Sequence, residues 1–506
     1  RFNIELNIVA PQVSGDAASL YQTRCASGDL GDIIILDNAD MQDCVDVGLI
    51  ADISEDLPNY ENLMKYDEQI SLFNDSINEV IGTEGVYAIP AEMNSNGPTE
   101  YKEDTVAVMP RLEWDHYVEV GAPEMKNLDD LLDTLKKIQD AYPTNEAGDK
   151  TYALSLWPDW DGTSIENVNQ LTKWYGQEVN GSILLGTDNS ITPLTDKDGA
   201  YYKMLKFLYK ANQMGLVDPD SATQDWNAAC DKMRQGRVHL FWYNWQYGFW
   251  NSPAKGEARQ NYRGIPLEDL NIYQASDTYY GDGRAWAVGS NVSDEDKARI
   301  LEFMDWLCSP EGLTMQHIGQ EGFIYTVNDD GTYTLTDAGM TRFADDPQVP
   351  EELGGGSWTD GNNQINQWLV ASIEMNPETG ETFGSDYWAS FLEKNNTATN
   401  KEWSEKFGSE TEVSYLEENG MLNIVPNVNL VLPIDTTDIA LIRSQCGDQV
   451  KATSWQAIFA SDDAEFDQMW DEMCVTLEGL GWDQLVEFDT DKYQAVVDAR
   501  EAAVAE

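Results

Sequence analysis

Tryptophan carries most of the chemical signal in this 506-residue chain, which holds 17 Trp, 23 Tyr and 14 Phe. Four aromatic groups sit in polar, loop-like stretches rather than on apolar periodic faces. They are Trp157-Pro158-Asp159-Trp160-Asp161-Gly162, the run Phe241 to Trp250, the run Tyr279 to Trp286, and Ser357-Trp358-Thr359-Asp360-Gly361, followed by Trp368. Indole beside Asp and Asn is the mixture a sugar needs. A pyranose has an apolar C–H face that packs on an aromatic plane. Its hydroxyl edge needs planar carboxylate, amide or guanidinium groups. The alternative for any single Trp is plain core or rim packing.

Paired carboxylates are the rival chemistry, because a glycoside hydrolase needs two acids at a set separation. With 90 Asp and Glu, pairs such as Glu351-Glu352, Asp129-Asp130 and Asp462-Asp463 arise by chance and read as solvated faces. No G-x-S-x-G occurs, the Gly-rich stretches lack the P-loop Lys-Ser/Thr, and no dinucleotide fingerprint follows a strand. His116, His239 and His317 are scattered, and Cys25, Cys44, Cys230, Cys308, Cys446 and Cys474 form no C-x-x-C. No metal site is therefore expected from either type, and the thiols are expected to be mostly free and buried. The turn Pro143 to Thr151 offers oxygen ligands, which makes 144–151 a possible calcium loop. It lacks the alternating acids and trailing Glu of an EF-hand loop, and no cofactor is expected.

Charge narrows the partners. Lys+Arg is 31 and Asp+Glu is 90, so the formal net charge is 31 − 90 = −59. Such a surface repels phosphate backbones, so no nucleic-acid partner is expected, and a strongly anionic ligand is disfavoured. No apolar run reaches the roughly 18 residues of a membrane span. The length exceeds what one core serves, so two or more lobes are expected.

The elements that position these residues alternate between strand and helix. Phe2–Val9 reads as a strand, 17–27 as a helix ending at Gly28, and Ile33-Ile34-Ile35-Leu36 as a strand buried on both faces. A short helix is predicted over 44–49 and strands over 86–90 and 152–156. Helices are predicted from Asn127 as N-cap to Asp140, over 201–214, and from Ser293 as cap to Cys308. Further helices are predicted over 386–392, 463–477 and 492–504. This alternation argues for an α/β fold.

The order of motifs resembles the family 1 extracellular solute-binding proteins of bacterial ABC importers. The resemblance is carried by 20–34 (helix, Ala26-Ser27-Gly28-Asp29-Leu30 turn, buried strand), Val47 to Ile53, and Glu84 to Pro90. It continues through Met233 to Leu240, Arg284 to Asn291, and Leu301 to Gly312. Gly319 to Asn328 and Trp455 to Trp470 are similar to the long lipoprotein-type branch, which includes alginate-oligosaccharide-binding proteins.

The resemblance implies two α/β lobes of type II periplasmic-binding-protein-like fold. The ligand cleft would lie between them, with about three crossovers and extra helices in the C-terminal half. The implied division is 1–95 and 281–325 for one lobe, 96–280 and 326–506 for the other, with a first strand preceding the chain. It implies hinge closure on an oligosaccharide, delivery to permease subunits, no catalysis, a monomer, and an extracellular lipoprotein with its lipid anchor upstream. A peptide or other small solute, and more remotely a glycoside hydrolase, stay open as alternatives. From position after strands and at crossovers, the cleft residues are expected to be Asn38, Asp40, Glu92, Asn94, Asn96, Trp157, Trp160, Asp161, Trp242, Asn244, Trp245, Tyr247, Trp250, Arg284 and Trp286, with Glu321 and Trp358 further out.

Overall fold

Residues 2, 4–8, 17–364 and 368–505 are described by a computed structural model. The locally encoded helices form where the sequence places them. Asn127 caps the helix Leu128–Ala141 by accepting from the backbone N–H of Asp129 and Asp130, and Leu128, Leu131, Leu132, Leu135 and Ile138 line its buried face. Ser293 caps Asp294–Leu307 in the same way through Asp296 N–H. The helix predicted over 44–49 lies earlier, at Asn38–Asp46, directly after the strand Ile33–Asp37.

Two sheets organise two lobes. In the N-terminal lobe the strands Ile33–Asp37 and Ile89–Pro90 flank Arg284–Val288, all antiparallel, with Ile35 and Ile89 both opposite Trp286. The strand Ile33–Asp37 is buried on one face, not both: Ile34 and Leu36 face Met41, Phe73 and Ile77, while Ile35 is 38% exposed. Among the described residues it is an edge strand, and on its second face only Ile33 packs inward, against the cluster holding Ile300, Leu301 and Met304. Residues 2 and 4–8 carry no strand, and Ile4, Leu6 and Ile8 are exposed. Asn3 and Val9 of that predicted strand lie outside the described residues.

In the C-terminal lobe, Leu240–Tyr243 and Tyr262–Gly264 flank Val108–Glu113, again antiparallel. A parallel pair, Ile272–Ala275 with Leu422–Val425, stitches in the returning chain. The predicted strand 152–156 is reduced to two isolated bridges, Tyr152 to Val238 and Leu154 to Val217. This lobe has the largest core, running from Val106 to Ile272 and resuming from Trp403 to Leu485. Its late helices, Thr437–Ile458, Asp463–Leu480 and Trp482–Ala505, pack on each other and supply the expected C-terminal elaboration.

Three segments cross between the lobes, near residues 91–98, 276–283 and 426–431, and side chains tie them together. Asn38 Nδ2 donates to Asn429 Oδ1 (2.5 Å), and Asn429 Nδ2 donates to the Tyr280 carbonyl (2.9 Å). Asn96 Nδ2 donates to Asp277 (2.7 Å), and the Thr278 hydroxyl donates to the Glu92 carbonyl (2.5 Å). Gly281 sits at φ +99°, where a Cβ would lie 2.8 Å from the Ala91 carbonyl oxygen and from Pro90 Cβ. Only glycine fits there without strain.

A separate hydrophobic cluster gathers Ile318, Ile324, Leu335, Trp358 and Trp388. Its chain also reaches the N-terminal lobe, since Leu369, Val370 and Phe383 join that core and Met93 bridges Val370. The six cysteines are free, four of them buried.

Candidate ligand-binding cleft

One wall of the cleft is aromatic and belongs to the C-terminal lobe. The strand Leu240–Tyr243 ends in a turn held by Gln246, a fully buried amide whose Oε1 accepts from the backbone N–H of Trp242 and Tyr243 (2.8 and 2.9 Å). That turn pushes Trp245 outward, 38% exposed and stacked on Tyr243 (4.7 Å, 25°). Trp226, first residue of the helix Trp226–Arg234, is oriented by its N–H to Asp159 and meets Trp245 edge to face at 5.3 Å. Trp160 closes the surface, 4.6 Å from Trp226 and 5.9 Å from Trp245. Behind them Trp157 stacks on Trp242 (5.6 Å, 10°), both fully buried. The half-exposed rings thus rest on a rigid aromatic layer.

Phe343, 40% exposed, reaches this wall from the third cluster, where its Cβ approaches Gly248 and its ring meets Trp358 edge-on at 4.9 Å.

The floor is acidic. Asp282 and Asp386 are solvent-accessible, yet burial by surrounding protein raises both carboxyls. Arg284 opposes the shift at Asp282, and Arg342 opposes it at Asp386. Burial likewise pushes Glu103 up to about 7, with Asp277 and Asp386 adding like-charge repulsion. Glu92 is raised well above the carboxylate range by burial and by Asp282, and its backbone is left-handed at φ +60°. Tyr247 lies among Asp386, Glu412 and Arg111, and burial raises its hydroxyl. Beneath it Arg111, fully buried, bonds Glu412 (2.9 Å) and the carbonyls of Trp242 and Val106. This ion pair braces the floor of the aromatic turn. In such a cleft carboxylates can accept from sugar hydroxyls while exposed indoles take the C–H faces.

Several expected residues lie elsewhere in role. Trp286 is 2% exposed in the N-terminal core, so its ring faces no cleft. Trp250 packs over Gly236 and Lys255 and donates to the Gln260 carbonyl. Trp157 and Trp242 support the wall without reaching its surface. Asn94 is fully buried and, with Asn96, braces a crossing. Asp161 is occupied by Trp455 Nε1 (2.7 Å) and Glu166 N–H, and burial raises it to about 6. Asp40 turns toward Tyr21, and burial raises it to about 6. Glu92, Asn38 and Arg284 gather near the crossings, with Arg284 paired to Asp37 (2.9 Å). Asn244 is half-buried, its N–H on the Ala107 carbonyl. Glu321 is exposed in the third cluster beside Tyr325, and Trp358 belongs to that cluster's core.

Sequence reading missed Trp226, Asp282, Asp386, Glu103 and Phe343. Trp226 carried one usable signal, Asp225 as its N-cap, which accepts from Ala228 N–H and marks a helix start at the aromatic.

Two other places bear on metals. In the turn 144–151, Asn145 Oδ1 accepts from Asp149 N–H and its Nδ2 donates to the Gln235 carbonyl, so this amide serves the turn itself. Elsewhere, Glu113, Asp115 and His116 bring ligand atoms within 4.8 Å of one another.

Two α/β lobes joined by three crossings, with an aromatic candidate cleft, give the architecture of a two-lobed binding protein. The sequence profile of the bacterial extracellular solute-binding proteins matches residues 3–314, and the chain belongs to that family. Among curated proteins there is no sequence match. Among solved structures, it is similar to the Streptococcus pneumoniae ABC-transporter substrate-binding protein FusA in complex with kestose. Identity is 17%, covering 95% of this chain and 91% of that one, with TM-score 0.60. The alginate-binding protein AlgQ2, without calcium ion, is 14% identical over 97% and 91% of the chains, TM-score 0.60. An HMO-binding ABC-transporter-associated protein from Bifidobacterium longum infantis is 16% identical over 94% and 90%, TM-score 0.56. At these identities the likeness is one of fold.

Proposed function

We propose that this chain is the ligand-capturing subunit of an ABC importer, that its ligand is an oligosaccharide, and that it binds without turnover. The observation that carries the reading is the surface formed by Trp160, Trp226 and Trp245, with Glu103 and Asp386 among the polar groups of the cleft. Several sugar rings need an extended apolar surface with acceptors beside it. FusA is seen in complex with kestose and AlgQ2 is an alginate-binding protein, which adds support from proteins of the same fold.

Closure follows from binding. A ligand touching both lobes favours the closed state by its differential affinity, and the crossing segments absorb the rotation. The loaded, closed form then docks on membrane permease subunits. The protein acts as a monomer outside the cell, held to the membrane by a lipid anchor.

Isothermal titration against a panel of neutral oligosaccharides, uronate oligosaccharides and peptides tests the reading. Saturable binding of an oligosaccharide that leaves its length unchanged is expected. Binding of peptides but not glycans overturns the substrate class. Hydrolysis of the glycan that disappears in Glu103→Gln overturns the claim of binding without turnover.

A further inference from the structure

We infer that Glu113, Asp115 and His116 form a binding site for a first-row transition-metal dication, with Zn2+ as the ion they suit best. The site lies at the far end of the strand Val108–Glu113 from the aromatic wall: Val108 pairs with Tyr243, while Glu113 pairs with Tyr262. It is independent of the cleft.

The three residues converge because the strand ends at Glu113 and the helix Trp114–Glu119 begins at once. Their ligand atoms lie within 4.8 Å of one another. Ligands about 2.0–2.2 Å from one ion lie within about 4 Å of each other, so small side-chain rotations complete the shell. One group, His116 Nδ1, is left unsatisfied by the protein, and a buried carboxylate lies beside it. The Glu113 side chain is 6% exposed, and its close neighbour is His116 Nδ1 at 3.1 Å. That approach is misaligned for a hydrogen bond, and Nδ1 is sealed from water with no hydrogen-bond partner. A buried carboxylate and a buried ring nitrogen aimed at one point are costly unless something binds both.

The frame is held in place. The His116 ring stacks on Tyr142 (3.6 Å, 27°), which fixes its plane. Asp115 accepts from His116 N–H (2.8 Å), and its own N–H donates to the Arg259 carbonyl (2.8 Å). The surroundings are net acidic, since Asp115 and Glu146 repel Glu113 while Lys255 opposes them. An imidazole with two carboxylates selects a transition metal over calcium, which prefers oxygen alone. Water fills the fourth position of a tetrahedral ion.

Titration calorimetry of the chelator-stripped full chain with ZnCl2 tests this, in NaCl and excess MgCl2 to occupy the acidic surface. One Zn2+ per chain is expected, weakened at least about tenfold in Glu113→Gln and in His116→Ala. Co2+ should give visible absorption bands of a four-coordinate site that vanish in His116→Ala. If His116→Ala loses its circular dichroism spectrum, Asp115→Asn replaces it, with the same weakening expected. Absence of saturable Zn2+ binding, equal binding by the folded variants, or displacement of Zn2+ by equimolar Ca2+ would each overturn the assignment.

Discussion

The ring of Trp226 lies 4.6 Å from that of Trp160, and both indoles are half-buried at the surface of one wall. Neither is needed to fill the core, because Trp157 and Trp242 already do so behind them. Replacing Trp226 by Ala should therefore weaken oligosaccharide binding with modest loss of stability. A lost stacking platform of this kind costs roughly 1–2 kcal/mol, or about 5- to 30-fold in Kd. Calorimetry beside a thermal melt checks it, and an unchanged Kd removes Trp226 from the site.

The buried pair of Arg111 and Glu412 should behave differently. Both side chains are at most 2% exposed, and Arg111 also holds the Trp242 carbonyl. Glu412→Gln leaves a buried guanidinium without its counter-charge. The expected cost is about 3–5 kcal/mol in urea unfolding, and ligand affinity should fall with it because the aromatic turn loses its brace.

Gly281 constrains a crossing. Gly281→Ala introduces a Cβ at φ +99°, 2.8 Å from Ala91 O. We expect a loss of about 1–3 kcal/mol from backbone strain and steric conflict, seen as a lowered Tm. A larger change in binding kinetics than in Tm would place the strain in lobe closure.

Stability should fall as pH rises across the range set by Glu103. Its carboxyl rises from an ordinary 4.5 to about 7 in the folded protein. Between those values the native state holds more protons than the unfolded chain, so ∂ΔG/∂pH of unfolding is negative. The contribution is full below about 4.5 and is lost as pH climbs through about 7. Glu92, Asp282 and Asp386 are shifted in the same direction. Tm measured from pH 5 to 7.5 should therefore decline, and Glu103→Gln should flatten the decline.

The legible part of the fold was local. Asn127 and Ser293 announce helix starts because their caps act within three residues. The helix Thr437–Ile458 escaped because its buried positions include Cys446, Gly447, Thr453, Ser454 and Ala457, which do not read as an apolar stripe. It packs closely against the helices Ala200–Gln213 and Asp463–Leu480, where small side chains fit. The aromatic runs contribute to the candidate cleft, where the rings of Trp160 and Trp245 lie 5.9 Å apart and partly exposed. Trp286 and Trp250 looked equivalent in sequence but pack inward or against a neighbouring loop.

The sequence by itself determined the α/β alternation, the main capped helices, the acidic charge and, through ordered motifs, the family. Those properties depend on periodicity, caps and residue types close along the chain. The tertiary structure alone decided which indoles face the cleft, that Asp386 and Glu103 share a floor, and that Asn38 meets Asn429. These pairings join residues far apart in the chain. Their closeness is set by how sheets and crossings pack, which local propensity does not encode.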